Sequence, residues 1–397
     1  MGIMIRKQKE FFGLTGIAKL SIISLIVSLA SSFVITIWAL YMDSFIHSIV
    51  YVGFFSALLT FISVTSFFLL IPIIEKTNKS KLYVFSLFLF GITYLIFSFN
   101  ISIYLFAILA IITAIIGTVR MTSFGIMVKD KSPKTKLSRN EGLVYTFANL
   151  SFVIGPLIAG FIASKYGLGK VFLFASVFIF LSILIFKISG IKDANIKKKA
   201  DTNIMKNFFD FFKNKQRVTA YMLGGGVNLW WVLIYLFMPL YIIRNELDKI
   251  WIGYFLFAVA VPLIFLGYFF SKLAGKIGFR KIFKIGFLIP CLLAFACFFI
   301  NSVYIILALL VIASIGLSML EATTEAYFFD ITKDKEEQRF YGPYNTTIEL
   351  NNLIGKLIPS IFLIFLPFKF VFLLFSFFMF IMFLISHKVK NIVEDGK

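Results

Sequence analysis

Along this chain, apolar residues come in blocks of about 20 or more, parted by short segments that gather Lys, Arg, Asn, Gly and Pro. A helix needs roughly 20 apolar residues to cross a bilayer. Twelve such blocks can be read, at 16–41, 49–74, 82–99, 102–127, 141–164, 170–188, 218–243, 250–271, 282–300, 302–329, 340–366 and 368–387. They predict an all-α integral membrane protein with the lipid bilayer as its solvent. Composition supports this: 60% of the 397 residues are hydrophobic, against roughly 45–50% in average chains. The mean hydropathy is +0.95. The first block follows a basic stretch, as a signal peptide would, but it is too long for an ordinary apolar leader core and reads as the first span.

The net charge of +20 would suit a nucleic-acid binder if it were gathered on one soluble face. It is not. With the N-terminus in the cytoplasm, 32 of the 39 Lys and Arg fall in cytoplasmic segments. Five fall outside (Lys165, Lys170, Arg244, Lys249, Lys369) and two deep within spans (Arg120, Lys356). That is a positive-inside bias, so both termini are expected in the cytoplasm of a multi-pass plasma-membrane protein, with no nucleic-acid partner. Cys291 and Cys297 lie six apart in one span, on different faces, and offer neither a disulfide framework nor a metal site.

The long polar segment 189–217 divides the spans six and six, giving bundles at 1–188 and 218–397. Within it, IMKNFFDFFKNK places Ile204, Phe208 and Phe211 on one stripe with Met205, Phe209 and Phe212. Lys206, Asp210 and Lys213 face away. Such a helix is expected to lie on the cytoplasmic membrane surface. A shift of 200 pairs Lys76 with Lys276, Lys81 with Lys281, Asp130 with Asp330, Arg139 with Arg339, Gly142 with Gly342, Thr146 with Thr346 and Gly155 with Gly355. Six spans bring the chain back to its starting side, so the repeats are parallel. Paired repeats of this kind enclosing a midplane cavity are a transporter design.

Four features together resemble the major facilitator superfamily. One is the arrangement of twelve spans in two halves joined by a basic linker. A second is EKTNKSK at 75–81 (Glu75, Lys76, Lys79), with its counterpart GKIGFRK at 275–281 (Lys276, Gly278, Arg280). These are similar to the family's loop of acidic and basic residues around a glycine, although Asn78 stands where glycine is usual. Third is Arg120 in span four with Gly125, and fourth is Gly155-Pro156-Leu157-Ile158-Ala159-Gly160 in span five, which looks like the run associated with antiporters. The resemblance implies a major facilitator fold, and a loop that latches the cytoplasmic face in one state. It also implies that spans four and ten face each other across a cavity, with Arg120 near the level of Glu321.

Five ionisable residues sit within spans: Arg120, Glu321, Glu325, Glu349 and Lys356. Each costs on the order of 2.5–3.5 kcal/mol at bilayer depth, so it should face a cavity or a partner. Glu321 and Glu325, four apart, are expected to share a helix face. Asn345, Glu349, Asn352 and Lys356 form one stripe on span eleven, and Asn149 stands where Glu349 does in the other half. Span one carries Ser21, Ser24, Ser28 and Ser31, and span seven Gly224-Gly225-Gly226 with Asn228, Trp230 and Trp231. Small-residue stripes of this kind are packing surfaces more often than ligand contacts. Asp43 and His47, four apart outside, read as incidental loop charges. Three acids against two bases leave one acid over, which suggests proton or cation coupling. The sequence thus points to a monomeric secondary transporter of a small solute, needing no cofactor, with export of amphipathic compounds favoured by the span-five run. Uptake of a metabolite, with Arg120 holding an anionic group, is the alternative, and a non-transporting receptor or assembly factor a second. No nucleotide-binding loop, metal cluster or nucleophile elbow supports an enzyme.

Overall fold

The structure, a computed structural model, describes residues 14–132, 137–191, 204–332 and 336–390. Among the described residues, twelve helices are long and apolar enough to cross a membrane: Gly16–Ile46, Ile49–Leu70, Lys79–Phe99, Ile103–Lys131, Asn140–Tyr166, Leu168–Ser189, Lys215–Arg244, Ile250–Ile277, Phe279–Phe299, Val303–Ile331, Arg339–Phe365 and Lys369–Ser386. They are spans one to twelve below, and they match the expected blocks to within a few residues. The described residues hold no strand. The basic run 192–201 lies outside the described residues.

Contacts group the chain into two compact units, one of Met1–Ile37 with Ile62–Lys199, the other of Trp38–Phe61 with Ala200–Lys397. The repeat holds at the level of single atoms. In the first unit Ser176 Oγ of span six donates to the Gly91 carbonyl of span three at 2.8 Å. In the second, Ser376 Oγ of span twelve donates to the Cys291 carbonyl of span nine, also at 2.8 Å. Gly155 of span five faces Ser32 of span one, and Gly355 of span eleven faces Val232 of span seven. All of these pairs differ by 200 in number.

Helix starts are set locally. Asn78 accepts from the Lys81 N–H at the head of span three, and Asn214 from Gln216 and Arg217 at the head of span seven. Such caps satisfy donors that the helix itself cannot. Where the first half uses Asn78, at φ −67°, the second uses Gly278 at φ +86°, a conformation nearly free only for glycine.

Departures from regular helix fall in the second half among the described residues. Span seven is a helix Lys215–Val232, a π-helical turn Leu233–Phe237 and a short helix Met238–Arg244. Pro239 follows the turn and has no N–H to give the Tyr235 carbonyl, which loosens the ladder at that point. Span ten breaks at Ala322–Thr323, between helices Val303–Glu321 and Thr324–Ile331. Thr323 Oγ1 bonds back to the Met319 carbonyl at 2.5 Å, a local bond that competes with the helix ladder. Span five, by contrast, runs unbroken through Pro156.

The linker forms a helix, Ile204–Phe212, whose Phe211 is fully buried. Its ring packs against Tyr221, Phe328 and Phe340 of the second unit. Phe209 and Phe212 remain exposed.

Candidate functional site

Polar side chains of spans seven, ten and eleven converge in the second unit. The break in span ten falls between Glu321 and Glu325, where Thr323 bonds back to the Met319 carbonyl, yet the two carboxylates stay near enough to interact electrostatically. Each carboxylate finds its own aromatic donor. Trp231 Nε1 of span seven donates to Glu321 Oε2 at 3.4 Å, and the Tyr341 hydroxyl of span eleven donates to Glu325 Oε1 at 2.7 Å. Both carboxylates reach an accessible surface, although Glu321 lies deep within the protein, and Asn345, Glu349, Asn352 and Lys356 are half-buried. None of Glu321, Glu325 and Glu349 forms an ion pair among the described residues.

Lys356 turns elsewhere. Its ammonium donates to Thr60 Oγ1 of span two at 2.7 Å, and Thr60 in turn donates to the Ser56 carbonyl at 3.0 Å. One turn on, spans two and eleven pass so closely that a Cβ at Gly53 would lie 1.8 Å from Ser360 Oγ. Asp43, expected to be an incidental loop charge, accepts two bonds from Arg244 Nη2, at 2.7 and 3.0 Å. Residues 38–61 group with the second half, so these contacts are internal to that unit.

The other candidates separate into packing and chemistry. Asn228 Nδ2 donates to its own helix at Gly224 O, 2.9 Å away. The three glycines before it are contact surfaces: a Cβ would lie 2.8 Å from Tyr344 at Gly224, 2.1 Å from Asn351 at Gly225 and 2.6 Å from Met382 at Gly226. Trp230 is wholly buried while Trp231 is not, which divides the adjacent tryptophans into a core residue and a carboxylate ligand. Asn149 is exposed, and Gly155, Pro156 and Gly160 are buried.

In the first unit, the Arg120 guanidinium carbon lies 5.2 Å from the Phe90 ring centroid, within reach of a cation–π attraction. Its Nε is buried without a hydrogen-bond partner. Of the loop residues, Lys76 and Lys276 are exposed and Lys79 is buried; the side chain of Glu75 lies outside the described residues. Arg280 Nε donates to the Val389 carbonyl at 2.8 Å, tying its loop to the end of span twelve. Thr60, Tyr341 and Asn351 were not legible as partners: each sits in a block where nothing but a neighbouring helix gives it meaning.

Twelve apolar helices in two parallel repeats, with acids and a lysine set within them, define a membrane transporter scaffold. The sequence profile of the Major Facilitator Superfamily matches residues 20–273 and 231–391, and the chain belongs to that superfamily. An uncharacterised MFS-type transporter of Methanocaldococcus jannaschii is 26% identical over 276 residues, covering 68% of this chain and 70% of that protein. Among solved structures, a POT family transporter in complex with 5-aminolevulinic acid superposes with a TM-score of 0.76 at 13% identity, over 97% of this chain and 99% of the other. The nucleoside transporter NupG gives 0.72 at 12% identity, over 94% and 99%.

Proposed function

We propose that this protein is a proton-coupled secondary transporter that moves a small solute by alternating access across the plasma membrane, as a monomer, and that it exports amphipathic compounds. The proton part rests on the company the acids keep. Glu321 is held by an indole N–H and Glu325 by a phenol O–H. A carboxylate with a neutral donor can take up and release a proton without an ion pair having to break. The span-five run Gly155 to Gly160 and the aromatic side chains around these acids support export of apolar ligands. On this reading Arg120, Asn149, Asn228, Asn345, Glu349, Asn352 and Lys356 contribute to the cavity, and Lys76, Lys79, Lys276, Gly278 and Arg280 to the latch.

The test is transport by the purified protein in vesicles with an imposed pH gradient, for the parent, Glu321→Gln and Glu325→Gln. Loss of gradient-driven accumulation in either variant, with downhill exchange retained, is expected. An unaltered pH dependence in both would overturn the coupling. Retained function on neutralising every carboxylate would favour a receptor instead.

One observation favours uptake as the second reading. The hydrogen-bond partner of the Lys356 ammonium is a neutral hydroxyl, not an acid, so an anionic solute group would replace Thr60 to electrostatic advantage. Preferential transport of anionic over neutral solutes, lost in Lys356→Gln, would select it.

A further inference from the structure

A groove of about 520 Å³ opens on the first unit between spans three and six. Its length is apolar, with Val84, Phe85, Phe88 and Ile183 on its walls, and one end carries Lys81 and Lys187. Span three begins at Lys79 and span six ends at Ser189, so Lys81 lies in the first turn of one helix and Lys187 in the last turn of the other. The two cations therefore stand at the same membrane level. That is the level which the charge bias assigns to the cytoplasmic interface. From Lys81 to Phe88 the helix rises roughly 10 Å, which carries the groove well below head-group depth. Phe85 and Phe88 are 58% and 48% exposed, so the furrow wall is open.

We infer that this groove is a binding site for an anionic phospholipid. The acyl chain lies along Val84, Phe85, Phe88 and Ile183, and the phosphate sits between the ammonium groups of Lys81 and Lys187. Charge complementarity selects the occupant. An apolar furrow alone would accept any lipid, but paired lysines at its interfacial end discriminate for a net negative head group. A soluble anion would gain the lysines and nothing from the apolar walls. A Lys in the last turn of a helix also complements the helix dipole; Lys81, in a first turn, opposes it, so that ordinary role does not account for the pair.

The experiment uses the intact protein in neutral detergent, titrated separately with phosphatidylglycerol, phosphatidylcholine of the same chains, and glycerol phosphate. Thermal unfolding and native mass spectrometry are the readouts. Phosphatidylglycerol is expected to raise the melting temperature and to survive as a bound adduct, with the other two doing neither. Each interfacial Lys contributes enough that the double change Lys81→Gln, Lys187→Gln should weaken phosphatidylglycerol binding about thirtyfold. Both residues are exposed, so the variant should fold, and its melting temperature without lipid checks that. Val84→Trp, filling the furrow, should lower binding with the lysines intact. Equal binding of both phospholipids, an effect of glycerol phosphate matching that of the lipid, or undiminished binding by the double variant would each overturn the site.

Discussion

Spans five and eleven hold the same place in the two repeats, yet they have been furnished for different work. Span five presents Gly155 to span one so closely that a Cβ would lie 2.3 Å from Ser32 Oγ and 2.7 Å from its Cβ. Span eleven presents Gly355 to span seven more loosely, 3.1 Å from Val232, and one residue on places Lys356 where span five has Pro156. The first half spent the position on close approach, the second on a charge. The break of span ten and the π turn of span seven lie in that same charged half. Backbone irregularity within a membrane is tolerated where it lies inside protein or lines a cavity. The second half therefore carries four of the five ionisable groups within spans, Arg120 excepted, and the irregular backbone beside them.

The sharpest way to break this contrast is to add the same methyl group to both glycines. Gly155→Ala should destabilise by about 1–3 kcal/mol, the range for overpacking a tight contact. Gly355→Ala should cost distinctly less, because Val232 and Leu229 side chains need shift only by tenths of an ångström. Thermal unfolding of the two variants in detergent measures the difference. Equal losses would mean that the closer approach in span five is not a real asymmetry.

The interhelical loops give a second contrast. At Gly278 the chain turns from span eight to span nine with φ +86°, so Gly278→Ala should cost about 1–3 kcal/mol in backbone strain. At Asn78 the same turn is made with negative φ and a side-chain cap. Asn78→Ala should lose about 1 kcal/mol, and Asn78→Gly only a few tenths. The departure of the first loop from the family's glycine is thus a different solution to one turn. If Asn78→Gly proved as damaging as Gly278→Ala in thermal unfolding, that account would fail.

Where the repeats agree, the prediction is symmetry. Ser176→Ala and Ser376→Ala each remove a buried 2.8 Å bond to a facing carbonyl, Ser376→Ala also losing a weak 3.6 Å contact with Cys291 Sγ, and each should cost about 1 kcal/mol. Because the acceptor carbonyls lie in helices, the loss should not be larger. Melting temperatures that differ by several degrees between the two would show that spans three and six are not held as spans nine and twelve are.

These contrasts also show what can be read from the chain before folding. Spans and the 200-residue shift were legible because bilayer thickness fixes block length, and because Gly and charged positions stand out against Ile, Leu and Phe. The acids at 321, 325 and 349 were legible as expensive residues. Their partners were not, since Trp231 and Tyr341 reach them across helices. Pro239 could have flagged the π turn of span seven. Nothing in ATTEA marks the break at Ala322–Thr323 except a threonine whose back-bond shows only in the folded chain. In the linker helix, its period was plain, but the burial of Phe211 against protein depends on rings 10 to 129 positions away.

The smallest effect concerns that linker helix. Asp210 bonds Lys213 Nζ at 2.8 Å and also pairs with Arg339, while Arg217 donates to the Asp210 carbonyl at 2.8 Å. The hydrogen bond from Lys213 and the Arg339 charge hold the Asp210 carboxyl below its ordinary value of 3.8. A depressed acid supports the folded arrangement fully above its unfolded value and loses that support as pH falls through the lower folded one. Water and salt screen so exposed a pair, so the effect is modest. A spin label on Phe209→Cys, which is exposed, should become more mobile as pH drops below 3.8. With Asp210→Asn added, mobility should be raised already at pH ~7 and should change little with acid. Unchanged mobility in that variant would show that the Asp210 carboxylate does not hold the helix, and that Phe211 and the Arg217 bonds to the Asp210 and Phe211 carbonyls dock it.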